Sequence, residues 1–334
     1  MFQFKLFENE QLKKELSMIK LSLALATSLL VAMPGMANET FTPQRNLAAF
    51  EKLFGVTEGK RRNHTKGFCI SGEFIPQDPK VKTYSSSPIF AEPSAFVGRV
   101  SHKGGKANPP DNVPGHYGLA LEITTAKKER HIFSMNTEHF FPVSSVEAFI
   151  KLLEAKASGK EATMAYAKNS PELQAYKAYH SKLDNSLRPY EGATYNSINT
   201  FYLTDEKGNQ TPVRWSFVPS GERGITLNPT ENFFLQNMQN NLSKGEVTWD
   251  MVITFAAEGD DILNPHIKWR EENRKLVAAK LRVTAAFPEG QGNCDTMNFD
   301  PLVLSKGFRA SEDPMLQARS SIYALGFGRR LSEK

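Results

Sequence analysis

The sequence predicts an α+β fold: a closed antiparallel β-barrel of about eight strands with helices packed outside it. Three observations carry that expectation. Runs rich in β-branched and aromatic residues recur between turn-rich loops, in two groups of about four. Helical segments with an apolar face are inserted into each group. The chain has 334 residues, 40% hydrophobic and 23% charged, enough apolar material for a sizeable core and incompatible with disorder or collagen-like repeats. A two-sheet sandwich accommodates the same strands and stays open on these grounds. With no internal repeat or long linker, residues 38–334 read as one domain.

Residues 1–37 have a different character. Met18-Ile19-Lys20 precedes the apolar run Leu21 to Met33, and Gly35-Met36-Ala37 supplies the small residues a signal peptidase reads. The run is shorter than the roughly 20 apolar residues that span a bilayer, so a cleaved signal peptide is expected in place of a permanent membrane anchor. Met18 is an alternative true start. Export would put the mature protein in the periplasm or outside the cell. Its two cysteines, Cys69 and Cys294, cannot make a CxxC motif, a cysteine zinc site or a disulfide-dense scaffold. Whether they pair depends on a Cα separation that sequence does not show.

Asn46 to Phe54 reads as a short helix. Strands follow at Gly67 to Ile75, Ala95 to Ser101, Tyr117 to Thr124 and Arg130 to Met135. Ser144 and Glu147 form a capping-box pattern before Val146, Phe149, Ile150 and Leu153, which share a helical face. Ser170-Pro171 opens a second helix ending near Leu183. The second strand group is Ser197 to Thr204, Pro212 to Val218, Val247 to Ala257 and Lys280 to Phe287, with a helix over Glu231 to Leu242 between its second and third members. A last helix is capped by Ser311, has Glu312 and Asp313 in its first turn, runs through Met315 to Tyr323 and ends at Gly326 and Gly328, before Arg329-Arg330.

A formal net charge of +5, dispersed along the chain, gives no support for a nucleic-acid partner. HExxH, GxSxG, GxxxxGK and GxGxxG motifs are all absent. Three local clusters carry chemistry. In Arg61-Arg62-Asn63-His64-Thr65-Lys66-Gly67, neighbouring cations disfavour a charged imidazole, and a neutral one can accept a proton near pH 7. On the strand Phe96 to Ser101, period-two alternation puts Arg99 and Ser101 on one face and Val100 on the other. In Arg319-Ser320-Ser321-Ile322-Tyr323, the i, i+4 spacing sets a guanidinium beside a phenol and favours the phenolate. Singly, each pattern is commoner as ordinary surface chemistry.

Together the clusters resemble the haem catalase superfamily, over most of the chain after the leader. Arg61 to Gly67 matches the family's Arg-x-x-His-x-Lys-Gly stretch, Arg99 and Ser101 its Arg-x-Ser strand. Phe299-Asp300-Pro301-Leu302 and Ser311 to Arg319 resemble its proximal stretch, ending in Arg-x-x-x-Tyr. The resemblance implies haem b with Tyr323 as axial iron ligand and Arg319 keeping that phenol ionised. It implies that Arg61, Arg99 and Arg330 pair with the haem propionates. His64 would move the peroxide proton and Ser101 would orient His64.

Several positions depart from the catalase pattern. Met135 stands where an ungapped match expects the distal asparagine, and Asn136 can serve only if the strand is shifted by one residue, which exchanges faces. Asn63 replaces the usual valine before the histidine, as a polar residue does in the related allene oxide synthases. The acidic channel residue is replaced near Gly115-His116, and Ala324 follows Tyr323 in place of proline. The chain also stops soon after Arg330, without the wrapping and helical segments of full catalases, so a more open haem edge is expected, and a monomer or dimer over a tetramer.

The resemblance is therefore to the short catalase-related peroxidases. It implies reduction of hydrogen peroxide or organic hydroperoxides by an organic electron donor, with weak catalase activity. A hydroperoxide isomerase or dehydratase, and a non-catalytic haem-binding envelope protein, are the alternative readings.

Overall fold

The computed structural model describes residues 41–333, so the signal-peptide segment lies outside the described residues. Four strands come first: β1 (Gly67–Pro76), β2 (Ser94–His102), β3 (Tyr117–Thr124) and β4 (Arg130–Asn136), each antiparallel to the next. The later strands are β5 (Tyr195–Asn196), β6 (Phe201–Thr204), β7 (Gln210–Pro219), β8 (Val247–Phe255), β9 (Lys275–Phe287) and β10 (Phe308–Ala310). Strand β9 pairs with β1 and with β8, β8 pairs with β7, and β5 bridges β4 to β7. That closes a ring of eight antiparallel strands, which removes the exposed edges an open sheet would carry. The two short strands β6 and β10 continue alongside β7.

Alternation fills the ring. In β8, Val247, Trp249, Met251, Ile253 and Phe255 point inward, and they meet Ile70, Phe74, Leu119, Phe133 and Phe217 in one continuous core. The same period turns Arg99, Ser101, Gly118, Ala120, Ser134 and Asn136 outward from the barrel, between inward neighbours such as Val100, Leu119 and Met135.

Six helices among the described residues surround the barrel: α1 (Pro43–Phe54), α2 (Val146–Ala157), α3 (Lys160–Lys168), α4 (Pro171–His180), α5 (Phe234–Lys244) and α6 (Pro314–Ser332). None is long and apolar enough to cross a membrane. Helix α1 packs on α2 and α6 through a separate apolar cluster that includes Ala49, Phe50, Ile150 and Leu153.

Local chemistry corrects several expected boundaries. The α2 cap is Ser145, whose hydroxyl accepts from Ala148 N at 3.2 Å. Ser144 bonds Glu172 instead, and Glu147 is drawn to Arg45. The run Ser197 to Thr204 splits into β5 and β6, because Ile198 takes φ +52° and the chain turns out of the sheet. Helix α5 starts at Phe234, three residues later than expected at Glu231. Asp313, not Ser311, caps α6 by accepting from Met315 N at 2.8 Å. The helix does not stop at Gly326 or Gly328, since neither glycine has positive φ, and Arg330 therefore lies within its last turn.

Cys69 and Cys294 form a disulfide with Cα atoms 5.5 Å apart, across a sequence separation of 225 residues. It ties the start of β1 to the short turn 293–296 that precedes α6.

Candidate active site between the barrel and two helices

A cleft open to solvent lies between the outward face of β2–β4 and helices α1 and α6. His64, Ser101, Asn136, Arg61, Arg99, Arg319, Tyr323 and Arg330 all line it, so the eight residues expected to carry chemistry or hold a cofactor are brought to one cavity, whereas Gly115, His116 and Ala324 are not among its lining residues. Leu47, Phe50, Phe299, Met315, Ile322 and Phe327 supply much of its apolar wall.

On the barrel side, His64 sits in the loop before β1 with φ +58°, a left-handed conformation that costs energy in a non-glycine residue. The strain is held in place from several directions. Asn63 Oδ1 accepts from the His64 N–H at 3.1 Å and from Gly104 N at 2.9 Å, and Arg99 Nη1 donates to the His64 carbonyl at 2.7 Å. Asn63 thus fixes the histidine's backbone, and its carbonyl oxygen is spent there. The His64 ring lies over Gly118, where a Cβ would come within 2.6 Å of it. Ser101 Oγ meets Nδ1 at 3.1 Å, which leaves Nε2 for chemistry in the cavity. Burial, reinforced by the charges of Arg99, Lys103, Arg319 and Arg61, pushes the imidazole pKa down to about 3. The ring is neutral at physiological pH.

Asn136 shares the cavity face with Ser134, while Met135 points into the barrel core. Its Oδ1 accepts from Glu138 N at 2.8 Å, so the amide N–H groups are what Asn136 can offer to a bound molecule.

Across the cavity, Tyr323 projects from α6. Its hydroxyl receives a hydrogen bond from Arg319 Nη2 at 3.0 Å and lies 3.3 Å from Ser134 Oγ. Burial alone would raise the phenol pKa, but the Arg319 charge and these hydrogen bonds outweigh it and hold the group below its ordinary value. Arg319 is itself fixed: Nη1 donates to Asn199 Oδ1 at 2.9 Å and Nη2 to the Ser134 carbonyl at 3.0 Å. Asn199 Nδ2 in turn donates to Asp313 Oδ2 at 2.6 Å, linking the helix cap to the phenol. Ser134 and Asn199 escape a sequence reading. Ser134 was traceable only as two residues before Asn136 on one strand, and Asn199 sits in the turn that splits a run read as continuous strand.

Arg61, Arg99 and Arg330 crowd one end. Arg61 Nη2 donates to the carbonyls of Cys294 and Met297, Arg99 to those of His64 and Thr65, and Arg330 Nη2 to that of Met297. Carbonyls carry no compensating charge. The closest carboxylate approach is Glu289 to Arg99, at 3.9 Å. Burial lowers all three pKa values, and mutual repulsion pushes Arg61 and Arg330 down further, Arg330 to about 10. The buried Nε atoms of Arg99 and Arg330 have no partner. Arg62 next door shows the contrast, since Glu51 and Glu333 both pair with it. Three cations crowded together, two of them buried with an unpartnered Nε, fit a group carrying carboxylates at one edge. An apolar body of that group would suit the cavity wall, and Tyr323 presents to the same cavity a phenol oxygen whose ionised form Arg319 favours.

Over 326 residues the chain is 34% identical to the catalase-related peroxidase of Synechococcus elongatus (strain ATCC 33912 / PCC 7942 / FACHB-805), covering 92% of this chain and 96% of that protein. The chain belongs to the catalase-related peroxidases. This is a family of oxidoreductases acting on peroxide. The catalase-related peroxidase of Mycolicibacterium paratuberculosis (strain ATCC BAA-968 / K-10) is 22% identical over 291 residues, covering 85% of this chain and 93% of its own length. No family model matches the chain. The closed eight-stranded barrel with helices around it is the architecture that the strand pattern predicts, in place of the two-sheet sandwich.

Proposed function

We propose that the cavity binds haem b and that the protein reduces hydrogen peroxide or organic hydroperoxides at the expense of a small organic donor. One observation carries this reading: a phenol held toward its ionised form by Arg319 faces the same cavity as Arg61, Arg99 and Arg330, whose nearest carboxylate is Glu289, 3.9 Å from Arg99. Tyr323 would ligate the iron, and Arg61, Arg99 and Arg330 would take the propionates. When bound, the haem supplies the iron that accepts electrons from the donor and passes them to peroxide.

The chain's own residues handle the protons. With Nδ1–H donated to Ser101 Oγ, Nε2 of His64 is a bare acceptor. It takes the proton from one peroxide oxygen and returns it to the other, which leaves as water or alcohol. The Asn136 amide donates a hydrogen bond to the peroxide and keeps it within reach of His64. The opening of the cleft to solvent supports access by organic substrates.

We also read residues 1–37 as a signal peptide and the protein as periplasmic or secreted. A disulfide made by the chain's two cysteines supports an oxidising compartment.

The deciding experiment is the absorption spectrum of the purified, haem-loaded protein, followed by product analysis. A five-coordinate ferric tyrosinate spectrum, lost in Tyr323→Phe, is expected, with turnover but not haem lost in His64→Ala. Donor should be oxidised in proportion to peroxide, with oxygen evolution minor. Isomerised hydroperoxide with no donor consumed would indicate an isomerase or dehydratase. Haem that passes to apomyoglobin and does not react with peroxide would indicate an envelope haem carrier.

A further inference from the structure

Peroxide reduction needs two electrons per turnover, and one surface cluster outside the cavity has the makings of an entry point for them. Tyr176 and Tyr179 stand one turn apart on α4, both half-buried. Each phenol meets a proton acceptor: Tyr176 donates to Glu138 Oε2 at 2.6 Å, and Tyr179 lies 2.5 Å from His139 Nδ1. Glu138 is almost wholly buried and is kept ionised by Lys103, His116 and its hydrogen bonds. Burial holds the His139 ring neutral.

The cluster connects to the cavity in two ways. Through hydrogen bonds, Glu138 N donates to Asn136 Oδ1 on the cavity wall. Through packed rings, Phe140 lies 5.1 Å from Tyr179 and 5.7 Å from Tyr176 between centroids. Its chain neighbour Phe141 stacks edge-on against Phe149 at 4.8 Å, and both of these line the cavity. On the outer side, Lys268 Nζ lies 5.3 Å from the Tyr179 ring centroid and pairs with Glu271, and the exposed Lys177, which follows Tyr176, is in no ion pair among the described residues. The Lys177 cation suits an anionic donor.

From this juxtaposition, and resting on the haem-peroxidase reading above, we propose that Tyr176 and Tyr179 form a surface oxidation site for phenolic donors bearing negative charge and too large to enter the cavity. A tyrosine gives one electron to the peroxide-oxidised centre, its O–H bond breaks, and the proton passes to Glu138 or His139. A donor phenol AH then returns a hydrogen atom to the tyrosyl oxygen and leaves as the radical A•. Two such events, with the two shed protons taken up by the peroxide oxygens, balance as H2O2 + 2 AH giving 2 H2O + 2 A•.

The test uses the full-length haem-loaded protein, with chlorogenate as the large anionic donor and catechol as the small neutral one. Peroxide without donor should produce a tyrosyl signal in electron paramagnetic resonance, and mass spectrometry after spin trapping should map the adduct to Tyr176 or Tyr179. The ratio of kcat/KM for chlorogenate to that for catechol should fall about tenfold in a Tyr176→Phe/Tyr179→Phe double variant. Tyr202→Phe, on β6, serves as the control for loss of a phenol elsewhere. If peroxide is consumed but the adduct maps to other residues, or the ratio stays at the wild-type value, the proposal is overturned. If the wild-type protein binds no haem or consumes no peroxide, the reading beneath it fails first.

Discussion

The imidazole of His64 rests on Gly118, so closely that a Cβ at that position would come within 2.6 Å of the ring. Gly118 has an ordinary strand conformation, so its smallness serves the histidine and not the backbone. Gly118→Ala should leave the barrel folded and displace the ring from Ser101. General acid–base catalysis contributes about 10²- to 10⁴-fold, and the rate of reaction with peroxide in the variant is expected to fall by about 10². Stopped-flow measurement alongside far-ultraviolet circular dichroism separates that loss from unfolding.

The two most deeply affected histidines set a pH limit on stability. His64 and His131 both have pKa values pushed to about 3, by burial first and, for His64, by neighbouring cations as well. In the unfolded chain they titrate near the ordinary 6.5. Below that value the unfolded state binds more protons, so stability is complete above pH 6.5 and is lost as pH falls toward 3. Each contributes up to about 1.4 kcal/mol per pH unit across that window. Thermal unfolding from pH 7 to pH 4 should show a steady fall in Tm, shallower in His131→Asn. The proton-accepting role of His64 should leave no inflection in the peroxide reaction between pH 5 and 8.

What could be read from the residues alone divides along physical lines. Alternation on β2 correctly put Arg99 and Ser101 on one face, because a strand's period of two is set by its backbone. The i, i+4 pair Arg319 and Tyr323 came together for the same kind of reason. Caps were harder, since Ser144 and Ser145 are both competent and the choice was made by Glu172, a partner on another helix. Helix α3 has no buried residue and so no apolar stripe to find. Asn199 was invisible because a single positive φ at Ile198 breaks the strand pattern around it.

The disulfide and the arginine cluster are mechanically joined. Cys294 is held to β1 by its sulfur, and its carbonyl accepts from Arg61. Met297, three residues on, accepts from both Arg61 and Arg330. Removing the crosslink with Cys69→Ser/Cys294→Ser should lower stability by roughly 2–4 kcal/mol, the usual range for a native bridge closing a long loop. It should also loosen the carbonyls that aim the guanidiniums. Thermal melts of the variant, and of wild type with and without reductant, check the first effect. Faster haem transfer to apomyoglobin at a temperature where both proteins are folded checks the second.

Asn199 offers the cleanest probe of the phenol. It accepts from Arg319 with one amide atom and donates to Asp313 with the other, so both ends of the link fail when it is truncated. Asn199→Ala leaves a buried guanidinium N–H and a buried carboxylate each short of a partner, a cost of about 1–3 kcal/mol per group. Asp313 already has its pKa raised by burial, so losing the amide that counters this should favour its protonated form. Arg319, freed at Nη1, will hold the Tyr323 oxygen less firmly, and the phenol pKa should rise toward its ordinary value. Ultraviolet difference titration of the haem-free protein reads that rise directly, against Tyr323→Phe as the blank. An unchanged titration curve in Asn199→Ala would show that Ser134, which also meets both Arg319 and Tyr323, suffices to hold the pair.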